Sequence, residues 1–239
     1  MNLDATLDDL RRQLTKLGTK TRAEQEKKYL KSDFRHYGVR VPEVRKVAKA
    51  LAKADPPPSR ADVIALGEAA FATDEFELRS VAIGVSDLRR RELTAADMTP
   101  IERWLRASKT WAHVDWLAVA VAGDLAERFP AARKRLDQWA KDDDFWIRRS
   151  AMLALIPGLR RGEGDFDGFA AMAVPMLGDT EFFIRKAIGW VLRETTKHRP
   201  DLVEAFVLAH ATRMSGLTFR EATRKLPAKA QARCQKRRG

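Results

Sequence analysis

Asp115, Trp111 and Trp190 are the residues best suited to chemistry, and a repeat brings them together. Four segments begin with Thr, Ser or Asp and reach an aromatic three residues later: Thr73 to Phe76, Ser108 to Trp111, Asp142 to Phe145 and Asp179 to Phe182. The aromatics stand 35, 34 and 37 residues apart, and a weaker fifth copy starts at Phe219, again 37 residues on. Four residues past each aromatic lie Ser80, Asp115, Arg149 and Lys186. Asp115 is therefore a carboxylate at a position where later copies carry cations. Cations around a carboxylate favour its charged form. Such an anion stabilises positive charge developing in a substrate; it serves equally as a salt-bridge partner that fixes register with Arg149 or Lys186. Trp111 heads its segment where the other copies have Phe. Trp190 lies one turn beyond Lys186, where the other copies have Gly84, Val119 and Leu153. Either indole can simply fill core volume. Together with a carboxylate, two indoles can also pack on a sugar and face a cation.

The elements that carry these residues read as helices almost throughout. Ala, Leu, Arg, Lys and Glu dominate, and apolar residues recur at helical steps, as in Val44, Val47, Ala48 and Leu51. Pro56-Pro57-Pro58 before Ser59 and Gly162-Glu163-Gly164 punctuate pairs of helices. Pro42 and Pro100 suit first helical turns, the latter with Thr99 as cap. A mid-thirties period with two helices per unit is the signature of an all-α solenoid. Each hairpin of antiparallel helices buries its face only against its neighbours, which leaves one concave surface. We expect a single domain over residues 1–227 and a flexible tail over 228–239, whose twelve residues include five basic ones and no acid.

Charge narrows the partner. The 239 residues carry 45 Lys+Arg against 33 Asp+Glu, a net charge of +12. Three residues past the repeat aromatics stand Arg79, Val114, Arg148 and Arg185. With Arg149 and Lys186 they would lay a basic stripe along the concave face, suited to a phosphate backbone; an ordinary solvated charged face is the alternative. A single cysteine, Cys234, excludes an internal disulfide and a cysteine zinc site. His36, His113, His198 and His210 show no metal-ligand spacing. Phosphate-binding loops and nucleophile elbows are absent. The acidic start, MNLDATLDDLRR, lacks the apolar core of a signal peptide, and the longest apolar run, Trp116 to Ala122, is too short to span a bilayer. A cytoplasmic monomer that does not enter membranes is expected.

Several segments resemble one family. KTWAHVD, with Trp111 and Asp115, is similar to the Trp-x-x-x-Asp segment of the AlkD-type DNA alkylation-repair glycosylases. FWIRRSAML, EFFIRKAIGWVLRE with Trp190, RKVAKAL and KKYLKSDFRHYG with Tyr29 also resemble that family, and the likeness runs from about Tyr29 to about Leu226. The resemblance implies HEAT-like helical repeats and excision of positively charged N3- and N7-alkylpurines from duplex DNA. It implies no metal or organic cofactor. Trp111, Asp115 and Trp190 match the family's active-site residues, Arg149 its phosphate-contacting arginine, and Tyr29 a cleft-lining tyrosine. Arg148, Arg185 and Lys186 join the DNA-binding set through the repeat. Trp116 departs from the pattern, standing where the prototype has a small polar residue; Ala112 and His113 depart too. A non-catalytic DNA- or RNA-binding repeat protein is the alternative.

Overall fold

The aromatics that mark the repeat are helix starts. The structure, a computed structural model, describes Met1–Gly239. Its helices are α1 (Leu3–Leu17), α2 (Lys20–Leu30), α3 (Val41–Ala52), α4 (Arg60–Phe71), α5 (Phe76–Leu88), α6 (Met98–Ser108), α7 (Trp111–Trp116), α8 (Gly123–Arg128), α9 (Pro130–Trp139), α10 (Phe145–Leu153), α11 (Ile156–Arg160), α12 (Phe166–Ala173), α13 (Phe182–Thr195), α14 (Pro200–His210), α15 (Gly216–Thr223) and α16 (Ala228–Arg238). Between α7 and α8 the chain passes through a π-helical segment, Leu117–Ala122. Strand pairing is limited to one isolated bridge between Arg35 and Glu75.

Phe76, Trp111, Phe145 and Phe182 each occupy the first position of a helix. The caps lie closer to the aromatics than the sequence pattern suggests. Thr110, Asp144 and Glu181, each directly before its aromatic, accept from a backbone N–H of the first turn. Asp142 and Asp179 act one step earlier, accepting from the N–H of Asp144 at 2.9 Å and of Glu181 at 2.8 Å. In three copies the residue three before the aromatic shapes the entry turn, Thr73 accepting from Glu75 N in the same way, whereas Ser108 ends α6 and donates to the carbonyl of Trp104. Pro100 likewise lies inside the first turn of α6, whose cap is Asp97 and not Thr99.

The helices gather into two compact units, Met1–Leu117 and Ala118–Gly239. The boundary falls at the end of α7, where the π-helical segment begins. In the first unit α4 turns back into α5, and α3, α5 and α7 pack in succession. The buried stripe runs through Val44, Val47 and Ala48 of α3, Leu66 and Ala70 of α4, and Leu78, Val81 and Val85 of α5. Each Val or Leu side chain among them contributes about 1.5–3 kcal/mol by leaving water, an upper value for the folded chain. Gly67 is required here: a Cβ would lie 2.2 Å from Cζ2 of the buried Trp104. In the second unit α10, α13 and α15 pack in succession around Ile147, Ala151, Ile184, Ala187 and Ile188. Equivalent helices of successive repeats therefore lie side by side within each unit, an α-solenoid-like arrangement.

The expected flexible tail is a helix. In α16, Ala230 and Cys234 are buried four residues apart, and Arg233 pairs with Glu204 of α14 at 2.5 Å. Two small residues on one face seat it, Arg238 lies 4.6 Å over the Phe219 ring of α15, and Lys229, Lys236 and Arg237 face solvent.

Candidate active site and nucleic-acid contacts

The turn entering α7 aims Trp111 and Asp115. Lys109 takes a left-handed conformation at φ 46°, Thr110 returns to extended backbone, and the helix starts at Trp111. Trp111 and Asp115, four residues apart, share a face one turn long, and both are half-buried. His113 and Val114 form the packed side of α7 and are buried. The exposed Tyr29 of α2 meets Trp111 edge to face, with ring centroids 6.0 Å apart at 85°. The amino-terminal unit therefore presents a phenol, an indole and a carboxylate together.

His113 explains how the buried side of α7 is fixed. Its ring stacks on Phe76 with centroids 4.3 Å apart, and its Nε2 lies 3.1 Å from the carbonyl of Phe76 and 2.9 Å from Ser80 Oγ. A carbonyl only accepts, so Nε2 carries the proton. Burial, reinforced by the nearby Arg79 guanidinium, drives its pKa down to about 3. The imidazole is neutral and structural.

Trp116, the departure from the family pattern, has its own seat. Its indole N–H donates to Asp87 Oδ2 at 3.0 Å, and the exposed Arg45 guanidinium lies 5.4 Å over its ring. Gly84 leaves room for it: a Cβ there would stand 3.2 Å from the indole Cη2 and 2.7 Å from Ala48 Cβ. The chain fills with an indole the space that a small glycine opens.

The carboxy-terminal unit holds the other expected residues. Trp190 is half-buried and donates from Nε1 to Glu194 Oε1 at 3.2 Å. Arg149 is buried, donates from Nη1 to the carbonyl of Phe183 at 2.6 Å, and stands 6.0 Å over the Trp190 ring. Lys186 donates to Glu221 Oε1 at 2.5 Å, and Arg193 bonds the same carboxylate. Burial works against ionisation of Glu221, but those two cations outweigh it and hold its carboxyl below the usual range.

Arg148 and Arg185 do a repeated structural job. Arg148 Nη1 donates to the carbonyl of Asp142 at 2.8 Å, and Arg185 Nε to that of Asp179 at 2.7 Å, each six residues back. Arg148 also reaches Asp179 Oδ2 at 3.1 Å. The third member, Arg79, is buried and donates from Nε to Thr73 O at 3.0 Å and from Nη1 to Ala107 O at 2.8 Å. These guanidiniums satisfy carbonyls of the entry turns. A phosphate contact by Arg148 or Arg185 would therefore share or exchange these partners.

Sequence reasoning passed over the exposed cations beside Tyr29. Lys27, Lys28 and Lys31 are exposed, as is Arg45 over the Trp116 ring. The run KKYLK, basic residues around an aromatic, carried that signal. One group of side chains has metal-holding geometry, namely Glu26, His36 and Glu77. His36 was set aside in sequence because its partners lie 10 and 41 residues away.

The chain matches the family model described as DNA alkylation repair enzyme over residues 10–226. The chain belongs to the DNA alkylation repair enzyme family. That membership gives it a role in DNA repair, with DNA as the partner. Among solved structures, a predicted DNA alkylation repair enzyme from Enterococcus faecalis is similar at 23% identity, over 88% of this chain and 97% of that one, with a TM-score of 0.76. At that identity the likeness speaks for the shared fold. No curated protein matches. No helix of this family member is long and apolar enough to cross a membrane.

Proposed function

We propose that this protein is a monofunctional, monomeric DNA glycosylase that hydrolyses the N-glycosidic bond of N3- and N7-alkylated purines in duplex DNA and leaves an abasic site. The observation that carries the proposal is the joint presentation of Trp111 and Asp115 on one face of α7, with Tyr29 edge-on to the indole. Family membership supplies the class of damage.

Alkylation at N3 or N7 makes the purine cationic and already a good leaving group. A strong general acid is then unnecessary, which suits so spare a set of residues. As the bond to the base breaks, positive charge moves onto the deoxyribose, as in glycoside hydrolysis. Asp115 stabilises that charge and orients the attacking water. Trp111 offers its indole to the sugar, with Tyr29 lining the same surface. From the carboxy-terminal unit, Trp190 is assigned the second sugar contact and Arg149 a phosphate contact. Arg148, Arg185 and Lys186 are assigned phosphate contacts around it. No metal or organic cofactor takes part in these steps.

Release of free base from methylated duplex, with and without EDTA, tests the reading. Base release that persists in EDTA and disappears in Asp115→Asn supports it. Tight, salt-sensitive duplex binding without base release would instead leave a non-catalytic DNA-binding protein.

A further inference from the structure

Helix α2 carries Tyr29 yet contains no buried residue. An eleven-residue helix with no buried apolar face needs some other attachment to hold its position. Beyond the half-buried Ala23 and Leu30 and the Tyr29–Trp111 contact, a polar connection inward runs through Glu26. Glu26 Oε1 accepts from Arg22 Nη2 at 2.6 Å, while Oε2 is buried without a hydrogen-bond partner. Facing it are His36, from the segment between α2 and α3, and the buried Glu77 of α5. Both ring nitrogens of His36 are buried and unpartnered. Glu77 binds the same segment, with Oε1 accepting from Gly38 N at 2.7 Å and Val39 N at 3.0 Å, and Oε2 from Tyr37 N at 2.9 Å. Oε2 therefore keeps a lone pair.

One donor atom from each of these three residues lies within 4.8 Å of the others. Orphaned buried polar atoms are costly, and Glu26 Oε2 and the His36 ring, both orphaned beside the Glu77 carboxylate, call for a shared partner. We propose that Glu26, His36 and Glu77 bind one divalent first-row transition-metal ion, with zinc as the probe, and that this ion ties α2 and the segment after it to α5.

The donor set, an imidazole and two carboxylates, suits zinc and its borderline neighbours. Zinc bonds to such atoms run about 2.0–2.2 Å, so tetrahedral donors stand roughly 3.4 Å apart. Rotation of the Glu26 and His36 side chains toward the Glu77 carboxylate, which three backbone N–H groups hold in place, would bring the donors to that spacing. Water fills the remaining positions. Burial pushes the Glu26 carboxyl up, with Arg22 opposing, and draws His36 toward its neutral form, which is the form that ligates. The His36 ring stacks on Phe76 at 4.4 Å, and Phe76 stacks in turn on His113 of α7. The clamp would thus stiffen the scaffold behind both Tyr29 and Trp111. It lies outside the proposed chemistry and stands independently of it.

The test uses the full chain stripped with EDTA. Zinc titrated by calorimetry should bind at one equivalent. At about a hundredfold excess over Kd, the melting temperature should rise by roughly 5–10 °C. Cobalt(II) should give a visible absorption band at the same stoichiometry. Glu26→Gln, which keeps the side-chain volume, and His36→Gln should abolish both signals, while Cys234→Ser should retain them. Absence of a zinc-dependent shift in the wild-type chain overturns the proposal. So does a shift that survives unchanged in Glu26→Gln, since the ion would then sit elsewhere.

Discussion

Trp116 bonds Asp87 through its indole N–H at 3.0 Å, anchoring α7 to the end of α5 at the residue directly after Asp115. The anchor depends on the missing side chain at Gly84. Gly84→Ala would place a Cβ 2.7 Å from Ala48 Cβ and 3.2 Å from the Trp116 ring. We expect a loss of about 1–3 kcal/mol from overpacking, read as a lower urea midpoint. An unchanged midpoint would mean that α3 and α7 yield freely at this contact.

Asp115→Asn keeps the side-chain size and removes the charge. Excision from methylated duplex should fall by roughly two orders of magnitude or more, the scale of losing one preorganised electrostatic group. Duplex affinity should hold or rise, because a negative charge leaves the vicinity of a polyanion. A folded, DNA-binding and fully active variant would remove Asp115 from the mechanism. As a companion, Trp190→Ala should slow excision while the melting temperature stays close to wild type.

Arg149 and Arg79 are both buried and bonded to backbone carbonyls, so loss of either should lower stability, but only loss of Arg149 should also change the salt dependence of binding. Arg149→Ala should weaken duplex binding alike across sequences and lower the slope of log K against log salt by about 0.9. Arg79→Met should destabilise by roughly 3 kcal/mol or more, because it strips hydrogen bonds from buried carbonyls. Filter binding across a salt series and urea unfolding measure the two effects. An Arg149 variant with wild-type slope would leave no phosphate contact to that side chain.

Acid should loosen the amino-terminal unit through His113. Folded, this imidazole takes its proton only at about pH 3, against 6.5 for an ordinary histidine. Below pH 6.5 the unfolded chain therefore binds more protons, and stability declines as pH drops toward 3. The decline from this one group reaches at most about 1.4 kcal/mol per pH unit. His36 and His210 shift in the same direction, and Glu26 in the opposite one. Urea midpoints at about pH 7.5 and about pH 5 should differ in the wild-type chain and differ less in His113→Gln, where His36 and His210 still contribute.

Much of this was legible in the residues. The spacing of Phe76, Trp111, Phe145 and Phe182 located helix starts because an entry turn followed by an aromatic at the first helical position recurs with each hairpin. The pairing of Trp111 with Asp115 was legible because four residues make one helical turn. The partners of Arg148 and Arg185 were not. The spacing placed both arginines on one helix face, but whether a guanidinium turns back to a carbonyl or outward to solvent depends on the turn geometry. Helix α16 escaped notice because Ala230 and Cys234 give almost no apolar signal among five basic residues. The grouping of Glu26, His36 and Glu77 escaped because it forms only when α2 and α5 are brought together.

The seating of α16 covers a flank of α14. Stacked hairpins have no intrinsic last member, since each exposes an apolar flank that another copy fits. Here Ala230 and Cys234 close the packing of the final hairpin while the outer surface of α16 carries Lys229, Lys236 and Arg237. The same short segment thus replaces that flank with a charged surface. Deleting residues 228–239 should expose a sticky terminus and produce concentration-dependent oligomers in light scattering, a failure of assembly control rather than of base release.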